Sequence, residues 1–265
     1  MAHGAPRKSL GQHFLTDRNI LGAIADAADV GSGDTVIEVG PGRGALTAVL
    51  AERAQRVIAV ELDGALARSL ADAAPSNLEV VEADARVADP AALLGGCAAY
   101  KMLGNLPYYA AMPILRRFLE SDCRPERAAV LVQREVAEQM CAQPGAMSLV
   151  SLAVQLFGSP RIARVVRPGS FTPPPKVTSA VVGIELHDGL AEGVDDAERF
   201  FMLARAGFSA PRKQLRNALS GGLNVEPGEA ERLLAAAGIE ASRRAQTLSM
   251  AEWASLYRAW RSAAG

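Results

Sequence analysis

Apolar positions along this chain fall into two alternating patterns. Short runs dense in Val, Ile and Leu have the length of strands: "DTVIEV" (34–39), "RVIAVEL" (56–62), "NLEVVEA" (77–83), "YKMLGNL" (100–106) and "AAVLVQ" (128–133). Between them stand "ALTAVLAERA", "GALARSLADAA", "DPAALLGG" and "AMPILRRFLES", segments of helical period that predict two to three turns each. Strands apolar on both faces and separated by helices predict a parallel sheet covered on both sides, a doubly wound, Rossmann-like α/β domain. Two more apolar runs, "RIARVV" (161–166) and "TSAVVGIEL" (178–186), are joined by the turn-rich "RPGSFTPPPKV" and not by a helix, so an antiparallel pair at the sheet edge is expected. The polar "HDGLAEGVDD" (187–196) reads as a linker. Beyond it, "AERFFMLARAGFS", "PRKQLRNALSGGL", "PGEAERLLAAAG" and "SMAEWASLYRAWRS" have helical period. The expected organisation is an α/β domain over 1–190 followed by a small all-α domain over 197–265.

Composition narrows the classes. A chain of 265 residues, 49% hydrophobic and 22% charged, has the make-up of a globular protein. No apolar run approaches the roughly 18 residues of a membrane span, and the opening "MAHGAPRKSLGQHF" carries basic residues with no apolar block behind them. The expectation is a cytoplasmic protein with no membrane partner, acting as a monomer. Cys97, Cys123 and Cys141 are odd in number and widely spaced, with no CxxC pair, so neither a disulfide framework nor a zinc site is expected, nor any other metal. Buried free thiols are the expectation for all three. A net charge of −1 means that any nucleic-acid surface must be a local basic patch.

The strand ends carry the chemistry. In "EVGPGRGAL", Gly40, Gly42 and Gly44 follow a strand and open a helix, where they let the backbone turn tightly and approach a ligand. Glu61 ends the next strand about 20 residues on, suited to a ribose diol. Taken alone, this pattern does not separate NAD, FAD and S-adenosyl-L-methionine. The third strand ends in "EADAR", whose Asp84 is placed to accept from an adenine amino group. The fourth ends in "NLPYY" (105–109), where Pro107 holds Leu106 extended and sets the direction of its carbonyl. Together these strand ends point to S-adenosylmethionine and a planar amino acceptor, and away from hydride transfer.

"GQHFL" (11–15), "EVGPGRGALT" (38–47), "ELD" (61–63), "DA" (84–85), "GNLPYY" (104–109), "LVQREVAEQM" (131–140), "SFTPPPKVTSAVV" (170–182) and "APRKQLRNAL" (210–219) resemble the ribosomal RNA adenine N6,N6-dimethyltransferases, the KsgA family, over nearly the whole chain. The resemblance implies a class I methyltransferase fold. It implies transfer of methyl groups from S-adenosyl-L-methionine to two adjacent adenosines in the hairpin near the 3′ end of small-subunit rRNA, during subunit biogenesis. It also implies donor contacts from His13, Leu15, Gly40, Gly42, Glu61, Asp84 and Asn105. Many relatives have asparagine where this chain has His13. Tyr108 and Phe171 would flank the target base, while the Asn105 side-chain oxygen and the Leu106 carbonyl would hold the adenine N6 hydrogens. For Tyr109 the expectation is simple packing behind Tyr108. Candidate phosphate contacts are Arg7 and Lys8 in the tail, Arg116, Arg117 and Lys176, the cluster Arg205, Arg212, Lys213 and Arg216, and Arg243 and Arg244.

Three alternatives stand beside this reading. One is the related large-subunit rRNA adenine methyltransferase that confers macrolide resistance. Another is a non-catalytic RNA-binding assembly or transcription factor on the same fold, and the last is a nicotinamide oxidoreductase. "NLPYYAAMPIL" and "PRKQLRNAL" resemble the small-subunit group more closely, and an intact set of Glu61, Asp84 and Asn105 speaks against a factor without catalysis.

Overall fold

A computed structural model describes residues 13–264, with side chains as far as residue 263. In chain order the strands are β1 (Phe14–Leu15), β2 (Thr35–Val39), β3 (Arg56–Glu61), β4 (Leu78–Glu82), β5 (Lys101–Asn105), β6 (Arg127–Gln133), β7 (Gly158–Val166), β8 (Phe171–Thr172) and β9 (Ser179–Leu186). The helices are α1 (Arg18–Ala27), α2 (Ala45–Arg53), α3 (Gly64–Ala71), α4 (Pro90–Leu94), α5 (Ala111–Leu119), α6 (Arg134–Met140), α7 (Leu149–Gln155), α8 (Ala197–Phe208), α9 (Leu215–Leu223), α10 (Pro227–Ala236) and α11 (Met250–Ala264). The chain divides into two compact units, one running to Ala137 and taking in Pro160–Leu186, the other made of Glu138–Ser159 and the chain from His187 onward. The expected division at 187–196 is corrected for residues 138–159. These include α7, whose Ser148 caps the helix in a reciprocal bond with Ser151, a helix start inside a stretch for which no helix was expected.

In the first unit the sheet order among the described residues is β4-β3-β2-β5-β6-β9-β7. β2, β3, β4, β5 and β6 pair in parallel, and β9 runs antiparallel to β6. The order reverses between β2 and β5, and in open α/β sheets ligands bind outside the carboxyl ends of strands at such a switch point. Each strand lies where its composition requires. β2 and β3 are buried almost throughout, while β4, at the edge, has Leu78, Val80 and Val81 half-buried and Glu79 and Glu82 exposed. The run at 161–166 is part of β7, which borders β9 at the other edge as expected, with Ile162 and Val165 exposed. β1 and β8, unanticipated from the sequence, form a small second sheet with Phe14 opposite Thr172 and Leu15 opposite Phe171. α1, also unanticipated, is capped by Asp17 and buries Ile20, Leu21 and Ile24 in the core with Leu50, Val57, Leu103 and Leu131.

The expectation of three free thiols is corrected. Cys97 and Cys123 form a disulfide with Cα atoms 5.4 Å apart, and Cys141 remains a half-buried thiol. The reason lies in register: Lys101 of β5 sits opposite Arg127 of β6, and each cysteine precedes its strand by the same length of chain. Parallel pairing therefore brings together two residues whose separation of 26 in sequence gave no sign of it.

In the second unit, α8 packs against α9 and α11, and α10 against both α9 and α11. Trp253, Tyr257, Phe200, Leu203 and Leu234 are buried among them. α9 begins only at Leu215, so the basic "PRK" that was expected to be helical is a turn. Among the described residues, no helix is long and apolar enough to cross a membrane.

Candidate active site

The cavity at the switch point has a volume of about 280 Å³ and is walled by the carboxyl ends of β2, β3, β4 and β5. Of the expected donor-binding residues, His13, Leu15, Gly40, Gly42, Glu61, Asp84 and Asn105 all line it, as do Leu106 and Tyr108. Residues scattered over 96 positions of sequence, from 13 to 108, are thus gathered on one surface by strand order alone.

The glycine loop after β2 is built around a buried carboxylate. Gly42 adopts a left-handed φ of +58°, and a Cβ there would meet the Phe14 ring at 3.0 Å. Its N–H donates to Glu61 Oε2 at 3.0 Å, while Asp63 N–H donates to Oε1 at 2.9 Å. Glu61 is therefore held in place by backbone donors, and each of its oxygens keeps a lone pair for a ligand. Gly40, at φ +70°, lies so close to the Asn105 carbonyl that an added Cβ would contact it at 3.5 Å, which joins the ends of β2 and β5.

At the end of β5, Asn105 donates its side-chain N–H to the His13 carbonyl at 3.1 Å. This fixes the amide and leaves its side-chain oxygen as the acceptor. His13 in turn makes a 2.8 Å hydrogen bond from Nδ1 to the Pro173 carbonyl and stacks on Tyr108 with ring centroids 6.0 Å apart. The Tyr108 hydroxyl is 2.6 Å from Ser179 Oγ, a fully buried hydroxyl on β9. Burial raises the Tyr108 pKa, so the phenol stays neutral at working pH.

Two expectations, on Phe171 and Tyr109, need correction. Phe171 does not line the cavity: it is buried at 3% exposure in the hydrophobic core, because its place opposite Leu15 in the β1–β8 pair turns it inward, and its neighbour Thr172 reaches the cavity wall instead. Tyr109 does not pack behind Tyr108; it is 58% exposed at the mouth of the cavity. Asp84 reaches the cavity, but its carboxylate accepts from the Arg86 guanidinium at 2.6–3.0 Å and from Arg86 N–H at 2.9 Å. That pairing holds Asp84 below the ordinary carboxylate range.

The sequence reading passed over Glu38. It is 1% exposed inside β2, lines the cavity, and has Oε2 without a partner. Burial pushes its carboxyl up to about 8; a hydrogen bond with the Thr47 side chain on α2 works against the rise, and the neighbouring charge of Glu61 adds to it. The signal was present, since an acidic residue in the otherwise apolar strand "TVIEV" is out of place unless it serves a ligand.

The expected phosphate contacts divide. Arg205, Arg212, Lys213 and Arg244 in the second unit are exposed, whereas Arg216 pairs with Glu231 at 2.7 Å and Arg243 is locked to Glu252 and Thr247. In the first unit Lys176 is exposed, Arg116 pairs with Glu120, and Arg117 donates to the Ala88 carbonyl. Arg7 and Lys8 lie outside the described residues.

Residues 5–259 match the family model described as ribosomal RNA adenine dimethylase. The chain is 48% identical over 250 residues to the ribosomal RNA small subunit methyltransferase A of Dehalococcoides mccartyi, an alignment covering 93% of this chain and 86% of that protein. It is 42% identical over 264 residues to the protein of the same name from Anaeromyxobacter dehalogenans, covering 96% and 93%. Among solved structures it is similar to the 23S rRNA methyltransferase ErmE, with a TM-score of 0.75, 27% identity and coverage of 93% of this chain and 98% of that one. A dimethyladenosine transferase from Plasmodium falciparum shares the fold at a TM-score of 0.77 and 24% identity, covering 92% and 96%. The doubly wound sheet expected from the sequence is thus of the class I methyltransferase type, and the chain belongs to the ribosomal RNA adenine dimethylase family.

Proposed function

We propose that this protein is a cytoplasmic small-subunit rRNA adenine N6,N6-dimethyltransferase, which moves methyl groups from S-adenosyl-L-methionine to two adjacent adenosines of the 3′-terminal hairpin during subunit biogenesis. One observation carries the reading: polar groups at the ends of four consecutive strands, Asp84 after β4, Glu61 on β3, Glu38 and the glycine loop at β2, and Asn105 on β5, line a single cavity beside Tyr108. The fit to the donor rests on the buried Glu38 oxygen left without a partner on the cavity wall and on the glycine cradle that a Cβ would fill. When bound, the donor supplies a methyl group on a sulfonium, which is already a good leaving group. Glu61 would hold the ribose hydroxyls, and Asp84 the adenine amino group in exchange for Arg86.

The remaining task of the chain is orientation. The adenine N6 lone pair is delocalised into the ring, so acceptors must turn the amino group towards the methyl carbon. The Asn105 oxygen and the Leu106 carbonyl are suited to that work, which is catalysis by positioning. An adenine inside a duplex cannot enter such a cavity, so the base must be extruded, and Tyr108 provides a ring on which to stack it. Arg205, Arg212 and Lys213 would contact phosphates and make binding salt-dependent.

Similarity to ErmE supports a second reading, methylation of large-subunit rRNA. The names of the curated relatives favour the small subunit. Incubation with labelled S-adenosylmethionine and undermodified ribosomal subunits decides between them: label is expected in the small subunit alone, and label in the large subunit would overturn the assignment.

A further inference from the structure

The sequence holds 29 acidic residues, yet none falls between Glu138 and Glu185. Arg161, Arg164, Arg167 and Lys176 do fall there, on β7 and the loop that follows it, all within the first unit. Among the described residues β7 has β9 as its one strand neighbour, so its outer edge is open. Residues 161–165 are exposed throughout, as are Arg167 and Lys176.

Elsewhere in this unit arginines stand in ion pairs: Arg53 with Asp26, Arg56 with Glu79, Arg116 with Glu120 and Arg127 with Glu185. The four cations of this stretch have no carboxylate partner among the described residues, and Arg164 donates at 3.4 Å to the Asn19 carbonyl. Charge on an edge strand can serve simply to prevent pairing with another sheet. That role accepts mixed charge, as the opposite edge of the same sheet shows: β4 carries Glu79 and Glu82, which pair with Arg56 and Arg68. An edge of a single sign, with nothing beside it to neutralise it, sets up a field that draws a polyanion. A second copy of this chain is a poor occupant, because two such edges would set arginine against arginine.

Position in the fold connects this edge to the site. From Arg161 to Arg167 the extended chain covers about 20 Å, enough for several successive phosphates, and then enters the loop before β9. That loop reaches the cavity: Thr172 stands on its wall, and the Pro173 carbonyl accepts from His13. Ser179, at the start of β9, is bonded to Tyr108. The basic run therefore leads to the ring on which the target base would stack.

We infer that the open edge of β7, with Arg161, Arg164 and Arg167 and with Lys176 beyond it, holds the phosphate backbone of the ribosomal RNA strand that leads to the target base. The inference rests on the reading of ribosomal RNA as substrate. Guanidinium forks suit phosphate oxygens, and the outward N–H groups of an edge strand add donors of the same kind. Contacts of this type fix the register of the nucleic acid without reading its bases.

The test compares the wild type with two triple variants, Arg161→Gln/Arg164→Gln/Arg167→Gln and Arg161→Lys/Arg164→Lys/Arg167→Lys, in binding to undermodified small subunits over a series of salt concentrations. Loss of three phosphate contacts should flatten the slope of log K against log salt by about 2–3 and weaken binding at low salt by about tenfold or more. The lysine triple keeps the charge and should keep most of both. Calorimetric affinity for S-adenosylmethionine should match the wild type in each variant, which also reports that these exposed substitutions leave the first unit folded. In methyl transfer the glutamine triple should raise KM for the subunit far more than it lowers kcat. A glutamine triple with wild-type affinity and slope, or a lysine triple that loses as much as the glutamine one, would overturn the inference while leaving the ribosomal RNA reading intact. Self-association of the glutamine triple together with wild-type subunit binding would overturn it as well, by marking the arginines as a guard against strand pairing. Failure of the wild type to bind either ribosomal subunit would instead overturn the ribosomal RNA reading.

Discussion

Replacing Tyr108 by phenylalanine removes one oxygen and tests how the base platform is held. From sequence alone the change should be nearly silent, because the stacking ring remains. The structure alters that expectation: the hydroxyl lies 2.6 Å from Ser179 Oγ, and Ser179 is fully buried on β9. Its loss strands a buried hydroxyl, at a cost of roughly 1–3 kcal/mol. Ser179→Ala strands the phenol, which is only half-buried and can turn towards water, so a smaller loss of about 1 kcal/mol is expected. The double variant leaves neither group unpaired, and its loss should fall short of the sum of the singles by about 1 kcal/mol. Urea unfolding of the four proteins reads these values. Because the bond also fixes the ring against His13, single-turnover methyl transfer by Tyr108→Phe should fall by up to about tenfold, as expected for a loss near 1.4 kcal/mol. Tyr108→Ala, which loses the stacking surface as well, should fall further, since stacking contributes roughly 1–3 kcal/mol per base. Additive losses in the double variant, within about 0.3–0.5 kcal/mol, would show that the bond holds nothing.

Glu61→Ala should retain the fold and bind the donor about tenfold or more weakly, since it removes charge-assisted bonds at a strand end; unchanged calorimetric affinity would take Glu61 out of the site. Asn105→Ala should slow methyl transfer by about 10²–10³ at saturating donor, the scale of one preorganised polar contact to a reacting centre, and a normal rate would shift the burden to the Leu106 carbonyl. Arg212→Glu combined with Lys213→Glu should weaken binding of ribosomal RNA and lower its salt dependence while leaving donor affinity alone, because both lie in the second unit and the cavity lies in the first; binding equal to wild type across several salt concentrations would mark them as a solvated face.

Much of the fold was legible because strand composition and position agree. The five parallel strands were visible as Val- and Ile-rich runs, and β4 was recognisable even at the edge because Leu78, Val80 and Val81 keep it apolar between its two exposed glutamates. What escaped the sequence reading depends on chain partners far apart. β1 and β8 are two residues each, too short for any periodicity, and exist only because they pair with each other. That same pairing sends Phe171 into the core, a direction that the surrounding prolines do not reveal. The Cys97–Cys123 bond follows from the register of β5 against β6, and the Tyr108–Ser179 bond spans 71 positions. Glu38 is a different kind of omission. Its placement in an apolar strand is readable, but the glycines beside it account for the motif without it, and its burial is visible only in the structure.

The central claim is that acceptors at the mouth of β5 orient an extruded adenine amino group for two successive transfers. Nucleoside mass spectrometry of undermodified small subunits, incubated with the protein and S-adenosylmethionine and then mapped by position, tests it most directly. The account predicts N6,N6-dimethyladenosine at two adjacent positions of the 3′-terminal hairpin, abolished or strongly slowed by Asn105→Ala. Monomethyladenosine as the sole final product, or methyl groups on any atom other than N6, would contradict it.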